Sequence, residues 1–127
     1  MRLGLTLVAS VSLLLSHVPA FADEPVFIGL EEGYDACGAI SETIGMTNVH
    51  TEPNRQSSVK DSLAGGILVW DCDWRESKGV EWSGVVYSLD KDADCGPMGT
   101  PIPEAREYVG PCSYGWIHRE DLTFIAG

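Results

Sequence analysis

Three sets of side chains in this sequence have the types and spacing that chemistry requires. Asp90-Lys91-Asp92-Ala93-Asp94 places carboxylates at alternate positions, the way a calcium loop begins, because a hard cation gathers several oxygens at close range. The sixth position, however, is Cys95 and the twelfth is Pro101, where an EF-hand has Gly and Glu. The run therefore reads as a solvated acidic loop, and no metal site is assigned. His50 and His118, with Cys37, supply the types found in cysteine hydrolases. Pairing of the cysteines with one another removes that nucleophile, and no other acid, base and nucleophile converge. The expectation is a protein that is not an enzyme and needs no cofactor. The third set is aromatic: Trp70, Trp74, Trp82, Tyr87, Tyr108, Tyr114 and Trp116. Exposed aromatic faces bind peptides, proline-rich segments and sugars, although a small core absorbs some of them.

The chain that must position these groups opens with Arg2, an apolar run over residues 3–15, then His17, Pro19 and Ala20-Phe21-Ala22. A charged start, a short apolar core and an A-x-A ending are the features of a secretory signal, and a spanning helix would need about 20 apolar residues. Cleavage is expected after Ala22, with no membrane insertion afterwards. Of 127 residues, 105 then remain, enough for one domain with one modest core. Of the 8 basic and 19 acidic residues only Arg2 lies in the signal, so the remainder carries a formal charge of −12. That balance disfavours nucleic acid and anionic lipid, which are bound through clusters of Lys and Arg. It suits a soluble monomer and would attract a cationic ligand.

All four cysteines, Cys37, Cys72, Cys95 and Cys112, come after the signal, and an even number in a small exported domain reads as two disulfides. Three pairings are possible. Closing the Gly- and Pro-rich stretch between Cys95 and Cys112 is the simplest, and it leaves Cys37 with Cys72. Each bridge is worth about 2–4 kcal/mol, mainly by restricting the unfolded chain. There is no C-x-x-C spacing, which argues against zinc or a redox pair.

Residues 23–35 are acidic and Gly-containing and are expected to be a flexible N-terminal segment, with an ordered domain over 36–127. A β-prone piece spans 44–49, with Gly45 as a kink, and Pro53-Asn54 opens a polar loop. Ala64-Gly65-Gly66 turns the chain into its strongest strand, 67–74, where alternation puts Trp70, Cys72 and Trp74 on one face and Val69, Asp71 and Asp73 on the other. A loop over 75–79 leads to a second strand, 80–87, and 115–118 and 122–125 supply the last two. Several short strands with no helical periodicity indicate a small all-β barrel or sandwich.

Thr47-Asn48-Val49-His50-Thr51-Glu52-Pro53-Asn54 resembles the "LNVRSGPS" signature of bacterial SH3-like domains, and the later segments come in a similar order. Leu63-Ala64-Gly65-Gly66 corresponds to their Leu-x-x-Gly turn. Gly79, Trp82 and Val85 correspond to a Gly-x-Trp-x-x-Val strand, and Gly115-Trp116-Ile117 with Asp121-Leu122 to a closing "GWV…YL". Cys72, the strand Gly84-Val85-Val86-Tyr87 and Gly110-Pro111-Cys112 look like a subset of exported, disulfide-containing proteobacterial members. The likeness covers roughly residues 36–125. Departures are Thr47, His50 and Glu52 in place of Leu, Arg and Gly, and an insertion over 88–114.

This resemblance implies an all-β SH3-like barrel of five to six strands, with a disulfide-closed insertion before the last strand. It also implies a non-catalytic binding module in the periplasm or outside the cell, whose partner is a peptidoglycan peptide or an envelope protein. Such modules present aromatics beside their loops, which points to Tyr87 and Trp116, with Trp82, as the ligand groove. Asp73, with Asp71 and Glu81 nearby, would meet a cationic amine. The alternative is an inhibitor or immunity-type protein that contacts an exported enzyme through the 95–112 loop.

Overall fold

Short runs of β-branched and aromatic residues between Gly-rich turns form strands throughout the chain. In the computed structural model, which describes residues 23–127 other than Glu32, together with Gly4 and Ser10, the chain is all-β. Apart from Gly4 and Ser10, the signal-peptide assignment to residues 1–22 lies outside the described residues. The strands are β1 (Phe27–Ile28), β2 (Ala39–Thr43), β3 (Thr47–His50), β4 (Val59–Leu63), β5 (Leu68–Ser77), β6 (Val80–Tyr87), β7 (Arg106–Glu107), β8 (Ser113–His118) and β9 (Leu122–Ala126). A 3-10 turn at Arg119–Asp121 separates the last two. Among the described residues no helix is long and apolar enough to cross a membrane.

Seven strands form one antiparallel sheet in the order β4-β3-β8-β6-β5-β2-β9, and β1 pairs with β7 in a separate two-stranded ribbon. The strand count therefore exceeds the five to six expected, and the sheet is not closed into a barrel: its ladder ends at β4 and β9. After β8, which lies between β3 and β6, the 3-10 turn leads the chain to the sheet edge, where β9 pairs with β2. Of the strand expected over 44–49 only 47–49 is strand, within β3, and 44–46 form the turn that joins it to β2. Ile44 and Met46 are exposed there, and the Thr47 hydroxyl donates to the Gly45 carbonyl at 2.8 Å.

Strand β6 is buried along most of its length because the sheet has a cluster on each face. On one face Trp82 and Val86 meet Trp116, Val26, Ile28, Met98 and Tyr108. On the other, Val85 and Tyr87 meet Val49, Leu63, Val69 and Ile117, so strands far apart in the ladder curl toward one another. Fully burying a side chain such as Val or Ile is worth about 1.5–3 kcal/mol.

One expectation changes here. Val26 and Ile28, in the segment expected to be flexible, are core residues: alternation turns both inward, and the Phe27 N–H donates to Asp73 Oδ2 at 3.0 Å. The 88–114 insertion likewise covers the first cluster with Met98 and Tyr108.

Both disulfides join the cysteines expected, Cys37 with Cys72 and Cys95 with Cys112, and no described cysteine is free. The Tyr108 hydroxyl braces the second bridge by donating to the Cys95 carbonyl (2.8 Å) and accepting from the Cys112 N–H (3.0 Å).

Candidate functional site

The site is created by a β-bulge. Asp71 lies opposite Val85 and Asp73 opposite Gly84, so Cys72 is an extra residue in β5. Beyond it the alternation is reversed. Trp74 lies opposite Ser83 and no longer shares a face with Trp70, contrary to the period-two expectation, and its ring is exposed. Asp73 turns inward, where Gly84 makes room: a Cβ at that position would come within 2.7 Å of the Asp73 Cβ. The Asp73 carboxylate is satisfied by the N–H groups of Phe27 and Trp74 and by Arg75 Nη1 at 2.9 Å. Arg75 in turn lies over the Trp116 ring, 5.3 Å from its centroid.

The extra residue, Cys72, is bonded to Cys37, which brings the 29–38 loop against the bulge. The neck of that loop is closed by the Gly29 N–H donating to the Ala36 carbonyl (2.7 Å). It is tied to the insertion by the Ala36 N–H to the Thr100 carbonyl (2.8 Å) and the Cys37 N–H to the Met98 carbonyl (3.0 Å). Between loop and bulge runs an open groove of about 320 Å³, at the small end of the 300–1,000 Å³ typical of ligand clefts. Leu30 and Tyr34 stand on the loop side and Trp74 on the strand side; Tyr34 is 65 % and Trp74 48 % exposed. Glu31, Asp35 and Asp71 supply carboxylates, and Arg119 from the 3-10 turn also lines the groove.

Asp71 sits partly buried beside Ser83, whose hydroxyl donates to its Oδ2 at 3.1 Å. Burial raises its pKa above the ordinary carboxylate value, against the opposing influence of the Arg119 charge and the Ser83 and Ser41 hydroxyls. Among the described residues, the ion pairs within 4.0 Å are Lys60–Asp23, Arg75–Glu24 and Arg75–Asp73, so Asp71 has none.

The aromatics expected to form a groove are placed otherwise. Tyr87 is buried in the second cluster and donates to Asp61 Oδ2 at 2.7 Å; burial and the Asp61 carboxylate push its pKa well above the usual phenol value. Trp116 is fully buried in the first cluster, its Nε1 donating to the Glu24 carbonyl at 3.1 Å. Trp82 is buried between the rings of His50 and His118, at centroid distances of 5.3 and 5.6 Å. Trp82 and Trp116 therefore pack together while Tyr87 lies across the sheet, and the three do not converge on one surface. Asp73 does line the groove, but from its buried side. What sequence reasoning missed is Leu30, Glu31, Tyr34 and Asp35. Their signal is Cys37, two residues beyond Asp35: a bridge to Cys72 carries the acidic patch to the Trp74 strand.

A second open groove, of about 410 Å³, lies between the polar 51–58 loop and the β5–β6 hairpin, where Arg55, Gln56, Lys78 and Val80 line it with Trp82. Set against known proteins, the chain matches no family model, no curated protein and no solved structure.

Proposed function

We propose that the protein is an exported, non-catalytic binding module of SH3-like type that recognises a cell-wall peptide or an envelope protein. The observation that carries this reading is the groove beside Cys37–Cys72, where Tyr34 and Trp74 offer exposed aromatic faces next to Glu31, Asp35 and Asp71. Aromatic surface with a few fixed polar groups is the chemistry of recognition. Export is supported by the two disulfides, which persist in oxidising compartments. Support for the SH3-like assignment is that its motifs coincide with regular elements: 47–50 is β3, 79 is in the β5–β6 turn, 80–87 is β6 and 115–117 lies in β8.

The test is co-sedimentation of the purified protein with isolated peptidoglycan. Binding that falls about tenfold or more in Trp74→Ala is the expected outcome, since a central Trp commonly dominates an interface. Sedimentation equal to that of an inert protein of the same charge excludes the wall peptide and leaves the envelope protein. A second reading, inhibition of an exported enzyme, rests on Val109, which is 87 % exposed within the 95–112 loop. It is the better reading if Val109→Asp abolishes capture of a protein partner while Trp74→Ala does not.

A further inference from the structure

The groove beside Cys37–Cys72 has a chemical asymmetry that narrows its ligand. Its exposed apolar surface comes from Leu30, Tyr34 and Trp74. Its carboxylates are Glu31, Asp35 and Asp71, with Asp73 beneath them already occupied by Arg75 and two backbone N–H groups. Asp71 is partly buried with no ion-pair partner within 4.0 Å among the described residues. Holding an ionised carboxylate at such a place is unfavourable until a cation joins it, and aromatic faces at the same mouth attract cations independently.

From this geometry we infer that the groove takes a primary alkyl-ammonium group carried on a peptide, its carbon stem against Tyr34 and Trp74 and its head on Asp71. The inference deepens the binding-module reading and rests on it for the source of the amine. An ammonium fits better than a neutral or anionic ligand because every unpaired charge on the mouth but Arg119 is negative. It also fits better than a bare metal ion, which would leave the aromatic walls unused. The amine can belong to a wall peptide or to a lysine of an envelope protein, since the recognised atoms are the same.

The experiment is a chemical-shift titration of the protein with three tripeptides, each blocked at both termini so that the side chain alone can carry an amine: Gly-Lys-Gly, Gly-(N-ε-acetyl-Lys)-Gly and Gly-norleucine-Gly. Gly-Lys-Gly is expected to shift the Trp74 indole and the backbone amides of 30–36 and 71–74, with an affinity that falls as salt rises. Acetylation or norleucine should weaken it at least tenfold, and Asp71→Asn should do the same while leaving the shifts of Trp82 and Tyr87 unchanged. Equal binding of the acetylated peptide, shifts that map to the Trp82 cleft, or no shift with millimolar Gly-Lys-Gly each overturn the inference. Peptidoglycan whose free amines have been acetylated separates it from the broader reading. Sedimentation with both native and acetylated material keeps the binding module and discards the amine, whereas groove shifts with Gly-Lys-Gly but no sedimentation keep the amine and move its source to a protein.

Discussion

Asp71 sets folding against the proposed binding at the level of one residue. Its carboxyl ionises at the ordinary value in the unfolded chain and at a raised value in the folded one, because burial disfavours the charge. The stability tied to this group is therefore fully present below the unfolded pKa and is lost as pH rises through the raised native value. Asp71→Asn keeps an acceptor for the Ser83 hydroxyl and removes the charge. It is expected to melt above the parent protein at pH 7, with the difference shrinking toward zero as pH is lowered through the native pKa. Thermal melts in steps from about pH 3 to pH 8 check this, and an Asn variant that melts below the parent at pH 7 contradicts it. Tyr87 shows a different balance: its hydroxyl is already committed to Asp61, so it stabilises the second cluster and has no free group to offer a ligand.

At the scale of elements, β5 and its hairpin carry most of the design. The Ser77–Val80 pairing leaves only Lys78 and Gly79 in the loop, at φ of 52° and 76°, the left-handed pair that matches strand twist. Gly79→Ala places a Cβ in that region and is expected to lower unfolding free energy by about 1–2 kcal/mol, read as a lower urea midpoint at unchanged slope. The strands 67–74 and 80–87 were legible because β-branched and aromatic runs between glycines leave few alternatives. Their true length was not: Arg75, Glu76 and Ser77 look like loop residues, and only pairing with Val80, Glu81 and Trp82 makes them strand. The bulge was equally hidden. Nothing local marks Cys72 as the extra residue, and a strict alternation through it assigns Trp74 to the wrong face. The groove was hidden as well, since Tyr34 and Trp74 are forty residues apart in sequence and are brought together by the Cys37–Cys72 bridge, the β2–β5 pairing and the Phe27–Asp73 hydrogen bond.

For the molecule as a whole, that bridge links stability to the proposed binding groove. The Cys37→Ser/Cys72→Ser double variant is expected to lose about 2–4 kcal/mol of stability. Its 29–38 amides should exchange faster even under conditions where the sheet stays folded, and Gly-Lys-Gly should no longer shift Trp74. Hydrogen exchange and the same titration read both effects, and an unchanged titration would separate the groove from the disulfide. The acidic surface has its own global effect, because self-repulsion from a large net charge works against compactness. Two cross-links in a domain of this size offset part of it. Their connectivity has a further consequence in time. Each bridge joins a cysteine to the next one along the chain, Cys37 to Cys72 and Cys95 to Cys112. For a polypeptide threaded N-terminus first into an oxidising compartment, an oxidant that couples each newly arrived thiol to the one still waiting makes both native bonds in order of arrival, and no wrong pairing has to be undone.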